Sequence, residues 1–112
     1  MSDALRYRTL DRLVRLASPL AELDELVSSL RWDCDGPIVE LTAELAKHVL
    51  ALYLSGEIGV AEVEHWANLV ESREDISATP NVRQVIFTLA NPALEGLLNP
   101  ESAAHLIRIL SA

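Results

Sequence analysis

The stretch that decides the fold spans residues 53–76 and reads YLSGEIGVAEVEHWANLVESREDI. It follows an apolar segment, passes Gly56 and Gly59, and continues as an amphipathic segment that contains Trp66. Apolar residues at steps of three and four predict a helix from about Val60, and glycine is the usual residue just after a helix end. We therefore predict that one helix ends before Gly56, that the next folds back on it, and that Trp66 lies in the core.

The same periodicity recurs on both sides of this stretch and predicts an all-α fold. The expected helices cover about residues 4–17, 19–30, 37–55, 60 to the corner at 73–75, 82–90 and 100–110, with one extra turn through Leu94. The third is the longest and is apolar on more than one face, which predicts a central helix in a bundle of five or six. Because half of the 112 residues are apolar, residues 1–112 are expected to form a single helical domain.

Basic residues concentrate in the first predicted helix. Its apolar stripe runs from Leu10 to Ala17 and is extended by Tyr7, so its arginines are expected on the opposite side of the helix. In the fifth helix, Phe87 is expected to pack in the core. Residues 1–17 hold four arginines against two aspartates, a net charge of +2, which leaves −10 for the rest of a chain whose total is −8. These opposite charges can pair within one molecule or between copies, so a homo-oligomeric structural domain joined through the first helix is one hypothesis.

The charge and the apolar runs exclude several classes of partner. A net charge of −8 repels nucleic-acid phosphates and anionic membranes, and it favours a basic protein partner. The longest uninterrupted apolar run, Val49–Leu54, is too short to cross a bilayer, and arginines interrupt the N-terminal segment where a signal sequence would need a long apolar region. The single cysteine, Cys34, permits no internal disulfide. We expect a cytoplasmic protein.

Catalytic motifs are missing from the sequence. No glycine elbow accompanies a serine, and four glycines in all provide no phosphate loop. We therefore expect a protein that is not an enzyme and that needs no cofactor.

Two pairs of residues nevertheless have metal-ligand spacing. Glu62 and His65 stand three residues apart, as in carboxylate-bridged di-metal bundles, and Glu44 and His48 stand four apart on the preceding helix. Antiparallel packing of the two helices would bring the four residues together, so a metal-binding protein or metal-dependent enzyme is a second hypothesis. Both pairs lie on polar helix sides and no second Glu-x-x-His is present, which favours surface ion pairing, with Glu44 next to Lys47.

The acidic residues between 57 and 75 are the candidate contacts for a partner protein. They are Glu57, Glu64, Glu71, Glu74 and Asp75. Arg73 stands among them, and we expect it to hold the loop in place by pairing with Glu71, Asp75 or a carbonyl at the end of the helix.

Several short segments carry a resemblance to known proteins. They are Tyr53–Ile58, Trp66–Asn68, Glu71-x-Arg73–Ile76 and Leu89–Pro92. Over about residues 30–110 they resemble small uncharacterised bacterial proteins of helical fold, which implies no activity. The sequence Ser-Gly-Glu-Ile followed by an acidic helix is also similar, over some twenty residues, to the opening of bacteriocin immunity proteins of the colicin D type. That similarity implies an acidic helical inhibitor that covers a basic nuclease site. The leading hypothesis is therefore a non-catalytic, immunity-like protein-binding module.

Overall fold

The computed structural model describes residues 3–30 and 39–111, which are mostly helical, as predicted. The elements in order are α1 (Asp3–Arg15), α2 (Leu20–Ser28), β1 (Val39–Glu40), α3 (Ala43–Leu54), α4 (Val60–Glu71), β2 (Ile76–Ser77), α5 (Pro80–Ala90), α6 (Pro92–Glu95) and α7 (Pro100–Leu110). Helix α6 is the short turn expected near Leu94. Within these two ranges no helix has both the length and the apolar character needed to cross a membrane.

The start of the third helix differs from the prediction. Helix α3 begins at Ala43, where the side chain of Thr42 accepts a hydrogen bond from the Leu45 N–H at 3.2 Å and caps the first turn. With 12 residues it is shorter than α1, which has 13, so the expectation that the third helix is the longest is not met in the described ranges. The predicted start at Pro37 and the connection that contains Trp32 and Cys34 lie outside the described residues.

Part of the predicted third helix is instead a strand. Val39 and Glu40 form β1, which pairs in parallel with β2, so that Val39 lies opposite Ile76 and Glu40 opposite Ser77. Two backbone bonds flank the pair: the Val39 N–H donates to the Asp75 carbonyl at 3.2 Å, and the Leu41 N–H donates to the Ser77 carbonyl at 2.8 Å. The pairing holds the loop after α4 against the segment before α3.

Helix α4 organises the core. It packs against α1, α2, α3 and α5, most extensively against α5, whereas the main partner of α3 is α7. The central position predicted for the third helix is therefore not confirmed. Trp66 is fully buried, as predicted, and its Nε1–H donates to the Leu13 carbonyl at 2.7 Å, which ties α4 to the end of α1. Gly56 has a φ of +83°, in the left-handed region that the turn after α3 requires.

Two aromatic residues and one arginine are placed differently from the prediction. Tyr7 is 51% exposed and Phe87 is 40% exposed, whereas Arg6, which was expected on the solvent side of α1, is only 8% exposed. Arg6 stands one turn before Leu10 and thus on the buried face of the helix. The predicted stripe is confirmed for Leu10, Leu13 and Val14, whereas Ala17 is exposed and follows the end of α1.

Candidate protein-binding surface

The corner after α4 is a buried ion pair. Asp75 is 1% exposed and Arg73 is 5% exposed. The Arg73 guanidinium donates to both carboxylate oxygens, from Nε to Oδ1 at 2.9 Å and from Nη2 to Oδ2 at 2.7 Å. Planar, two-bonded pairing of this kind is the strongest form of an arginine–carboxylate contact. Of the three partners that the sequence left open for Arg73, the structure shows Asp75.

Asp75 also compensates a second guanidinium. Arg6 Nε lies 3.9 Å from Asp75 Oδ2, so one buried carboxylate connects α1 to the loop that enters β2. A side chain in this position cannot reach another protein while the domain is folded. Asp75 was a candidate partner contact, and the structure corrects that prediction: the side chain is 1% exposed, is bonded to Arg73 and lies 3.9 Å from Arg6, which is 69 positions away in the chain.

The remaining predicted contacts lie at the surface. Glu64 and Glu71 are seven residues apart on α4, so they share one side of the helix at a separation of about 10 Å along its axis. Glu71 and Glu74 are exposed and Glu64 is partly exposed. We call Glu64, Glu71 and Glu74 the acidic edge; none of the three forms an ion pair with another described residue. Glu57 is exposed in the turn before α4, where its Oε2 accepts a hydrogen bond from the Ser55 hydroxyl at 3.0 Å.

Each of the two acidic-edge residues on α4 lies beside an apolar hollow. The first hollow has a volume of about 190 Å³ and lies between α4, α5, α7 and the α6–α7 connection, with Glu64 in its wall. The second has a volume of about 250 Å³ and lies between α4, α5 and the β1–β2 pair, with Glu71 in its wall together with Arg73 and Arg83. A carboxylate next to an apolar depression suits a partner that presents basic and apolar side chains together.

Sequence reasoning missed the apolar part of this surface. Leu94 is 75% exposed and Leu97 is 68% exposed, and both belong to the segment between α5 and α7. The sequence signal for this surface is an apolar run between α5 and α7 that lacks helical periodicity. Such a run does not predict which of its residues are buried and which are exposed.

The residues predicted as metal ligands do not converge. His65 Nε2 lies 2.9 Å from Asp24 Oδ2 on α2, and its neighbour in the motif, Glu62, accepts the Gly59 N–H at 3.1 Å and caps the start of α4. Glu44 pairs instead with Lys47 at 2.9 Å, the surface ion pair that its spacing predicted.

His48, the fourth predicted ligand, is exposed on α3. In the part of the chain that the structure describes, no group of three or more His, Cys, Asp or Glu side chains is arranged to hold a metal ion. The geometry therefore gives the metal hypothesis no support.

The basic residues of α1 are largely paired within the molecule. Arg12 Nη2 bonds Glu22 Oε1 at 2.9 Å, and Arg15 Nε bonds Asp11 Oδ1 at 2.9 Å. Both pairs are partly exposed, so each contributes little to stability, about 0–1 kcal/mol. The pairing shows that part of the opposite charge is compensated within one molecule, and homo-oligomer formation through α1 stays a prediction.

Comparisons with models of protein families, with curated proteins and with solved structures found no match. The resemblance to colicin D-type immunity proteins and the bacterial origin that it implies therefore stay predictions. The chemistry of the surface is the basis for a functional proposal.

Proposed function

We propose that this domain is a non-catalytic protein-binding module of a bacterial cytoplasm, which binds a basic partner through the acidic edge, in the manner of an immunity protein. The observation that supports the proposal is the acidic edge, whose three carboxylates have no ion-pair partner among the described residues. Two of them, Glu64 and Glu71, also lie in the walls of the two hollows. Unpaired surface charges of one sign steer a partner of the opposite sign and set its orientation.

The rigid position of the acidic edge supports the same proposal. Helix α4 is anchored by the fully buried Trp66, and the loop that carries Glu74 is held by the neighbouring Arg73–Asp75 pair. A surface that is held in place loses little conformational freedom when a partner binds, which favours affinity.

The histidines give no comparable support to catalysis. Only His65 has a hydrogen-bond partner within residues 3–30 and 39–111, and that partner is the Asp24 carboxylate rather than a hydroxyl nucleophile. A nucleophilic site requires a base within hydrogen-bond reach of a serine, threonine or cysteine.

A capture experiment with charge variants tests the proposal. The wild-type domain and the Glu64→Gln/Glu71→Gln/Glu74→Gln variant are immobilised and exposed to extract from the native cell at low and high salt. The control is Glu25→Gln/Glu40→Gln/Glu101→Gln, which makes the same change in net charge at three other exposed positions. We expect the wild type and the control to retain the same basic protein at low salt and the acidic-edge variant to lose it. Equal retention by all three would refute the assignment of the surface.

A further inference from the structure

We infer that the first hollow receives one apolar side chain of the partner, and that a lysine or arginine flanks that side chain in the partner's sequence. This inference rests on the proposed function and names the chemistry that the acidic edge recognises. The partner segment is therefore amphipathic and not merely basic.

The size and lining of the hollow support the first part of the inference, that it receives one apolar side chain. Its wall is mainly apolar and includes Val63, Leu89 and Leu106 from three different helices. Its volume of about 190 Å³ exceeds the roughly 150 Å³ of a dry apolar cavity that admits benzene. One leucine-sized or phenyl-sized side chain therefore fits.

The charges at the rim of the hollow support the second part of the inference, the lysine or arginine that flanks the apolar side chain. Glu64, Glu95 and His105 line it, and neither carboxylate is ion-paired with another described residue. No lysine or arginine is among its lining residues. Leu97 also lines the hollow and is 68% exposed. A solitary exposed leucine is common, but an exposed leucine that continues an apolar depression extends the area that a partner can cover.

The same charges argue against other occupants. An anionic fatty acid or membrane lipid would bring its negative group to a rim that already carries two carboxylates. A second copy of this chain has a net charge of −8, and three of the four arginines of its α1, Arg6, Arg12 and Arg15, are already paired within the molecule. A partner segment with lysine or arginine beside its apolar side chain is the occupant with complementary charge.

A titration with two peptides tests the inference. The probes are acetyl-Lys-Lys-Leu-Lys-Lys-amide and the same peptide with serine in place of leucine, each added to ¹⁵N-labelled protein and followed by amide chemical shifts. Both peptides should perturb the acidic edge. Only the leucine peptide should also perturb Gly96, Leu97 and Ser102 around the hollow, and it should bind about tenfold more tightly because it buries one leucine side chain.

Variants separate the hollow from the charged surface. Leu97→Gln removes an apolar side chain from the rim of the hollow without changing the net charge, so the leucine peptide should no longer bind more tightly than the serine peptide. Leu54→Gln is the control, because Leu54 is 44% exposed and lies outside the hollow, and this variant should still bind the leucine peptide more tightly. Equal affinity of the two peptides would overturn the inference while leaving the acidic edge as the binding surface. If neither peptide perturbs the acidic edge, the proposed function fails as well. A dimer seen by light scattering that Leu97→Gln dissociates would show that a second copy fills the hollow, and it too would overturn the inference.

Discussion

Replacing Asp75 by Asn should be among the most destabilising single substitutions in this protein. The substitution keeps the shape of the side chain but removes its charge, so Arg73 and Arg6, which are 5% and 8% exposed, each lose one charged partner. Removing one partner of a buried ion pair costs about 3–5 kcal/mol. A domain of this size has a free energy of unfolding of about 5–15 kcal/mol, so roughly a fifth or more of it should be lost.

The loss is measurable by urea and thermal unfolding followed by circular dichroism. With about 4 °C per kcal/mol for a chain of this length, the melting temperature should fall by roughly 12–20 °C. Glu74→Gln is the matched control, because it neutralises the adjacent, exposed carboxylate and should change stability by no more than about 0.5 kcal/mol. If Asp75→Asn costs less than about 1 kcal/mol, the carboxylate does not compensate the buried guanidinium groups and the account of the corner is wrong.

Three further predictions follow from the fold and the site. Trp66→Phe should cost about 2 kcal/mol in urea unfolding, because it removes the bond to the Leu13 carbonyl and leaves space in the core; a neutral effect would contradict the central role of this side chain. Thr42→Ala should cost about 1 kcal/mol through loss of the α3 cap, and a loss below a few tenths would indicate that the helix starts elsewhere. Added Zn²⁺, Fe²⁺ or Mn²⁺ should leave the melting temperature unchanged, since Glu62 and His65 have other partners, and a rise that His65→Ala abolishes would restore the metal hypothesis.

Local signals were sufficient to predict most of the helices. The turn at Gly56, the start of α4 at Val60 and the burial of Trp66 all follow from periodicity and from the conformational freedom of glycine. The last helix begins at Pro100 after an asparagine cap, a pattern that is equally local.

The features that were missed depend on contacts between distant parts of the chain. Strand β1 has two residues, which is too short for an alternating pattern, and it exists because Val39 meets Ile76. Arg6 is buried and lies 3.9 Å from Asp75, and no pattern within α1 indicates that partner. His65 was grouped with Glu62 by its spacing, yet its actual partner is Asp24 on another helix.

The candidate site also has some features that the sequence predicts and others that depend on distant contacts. The sequence identified the acidic residues of the acidic edge, but it could not separate Glu74, which faces solvent, from the neighbouring Asp75, which is buried. Residues one position apart in a loop have no fixed relation to the core, so the separation required the tertiary structure. The hollows beside Glu64 and Glu71 are formed by three or more elements each and have no local signature.

The measurement that tests the central claim most directly is the dissociation constant of the captured basic partner, determined by calorimetry at low and high salt. With about 0.5 kcal/mol per exposed charge, loss of the three carboxylates of the acidic edge should weaken binding about tenfold at low salt, with a smaller difference at high salt. The variant that neutralises Glu25, Glu40 and Glu101 should bind like the wild type. Equal affinity of the acidic-edge variant and the wild type at low salt would contradict the account.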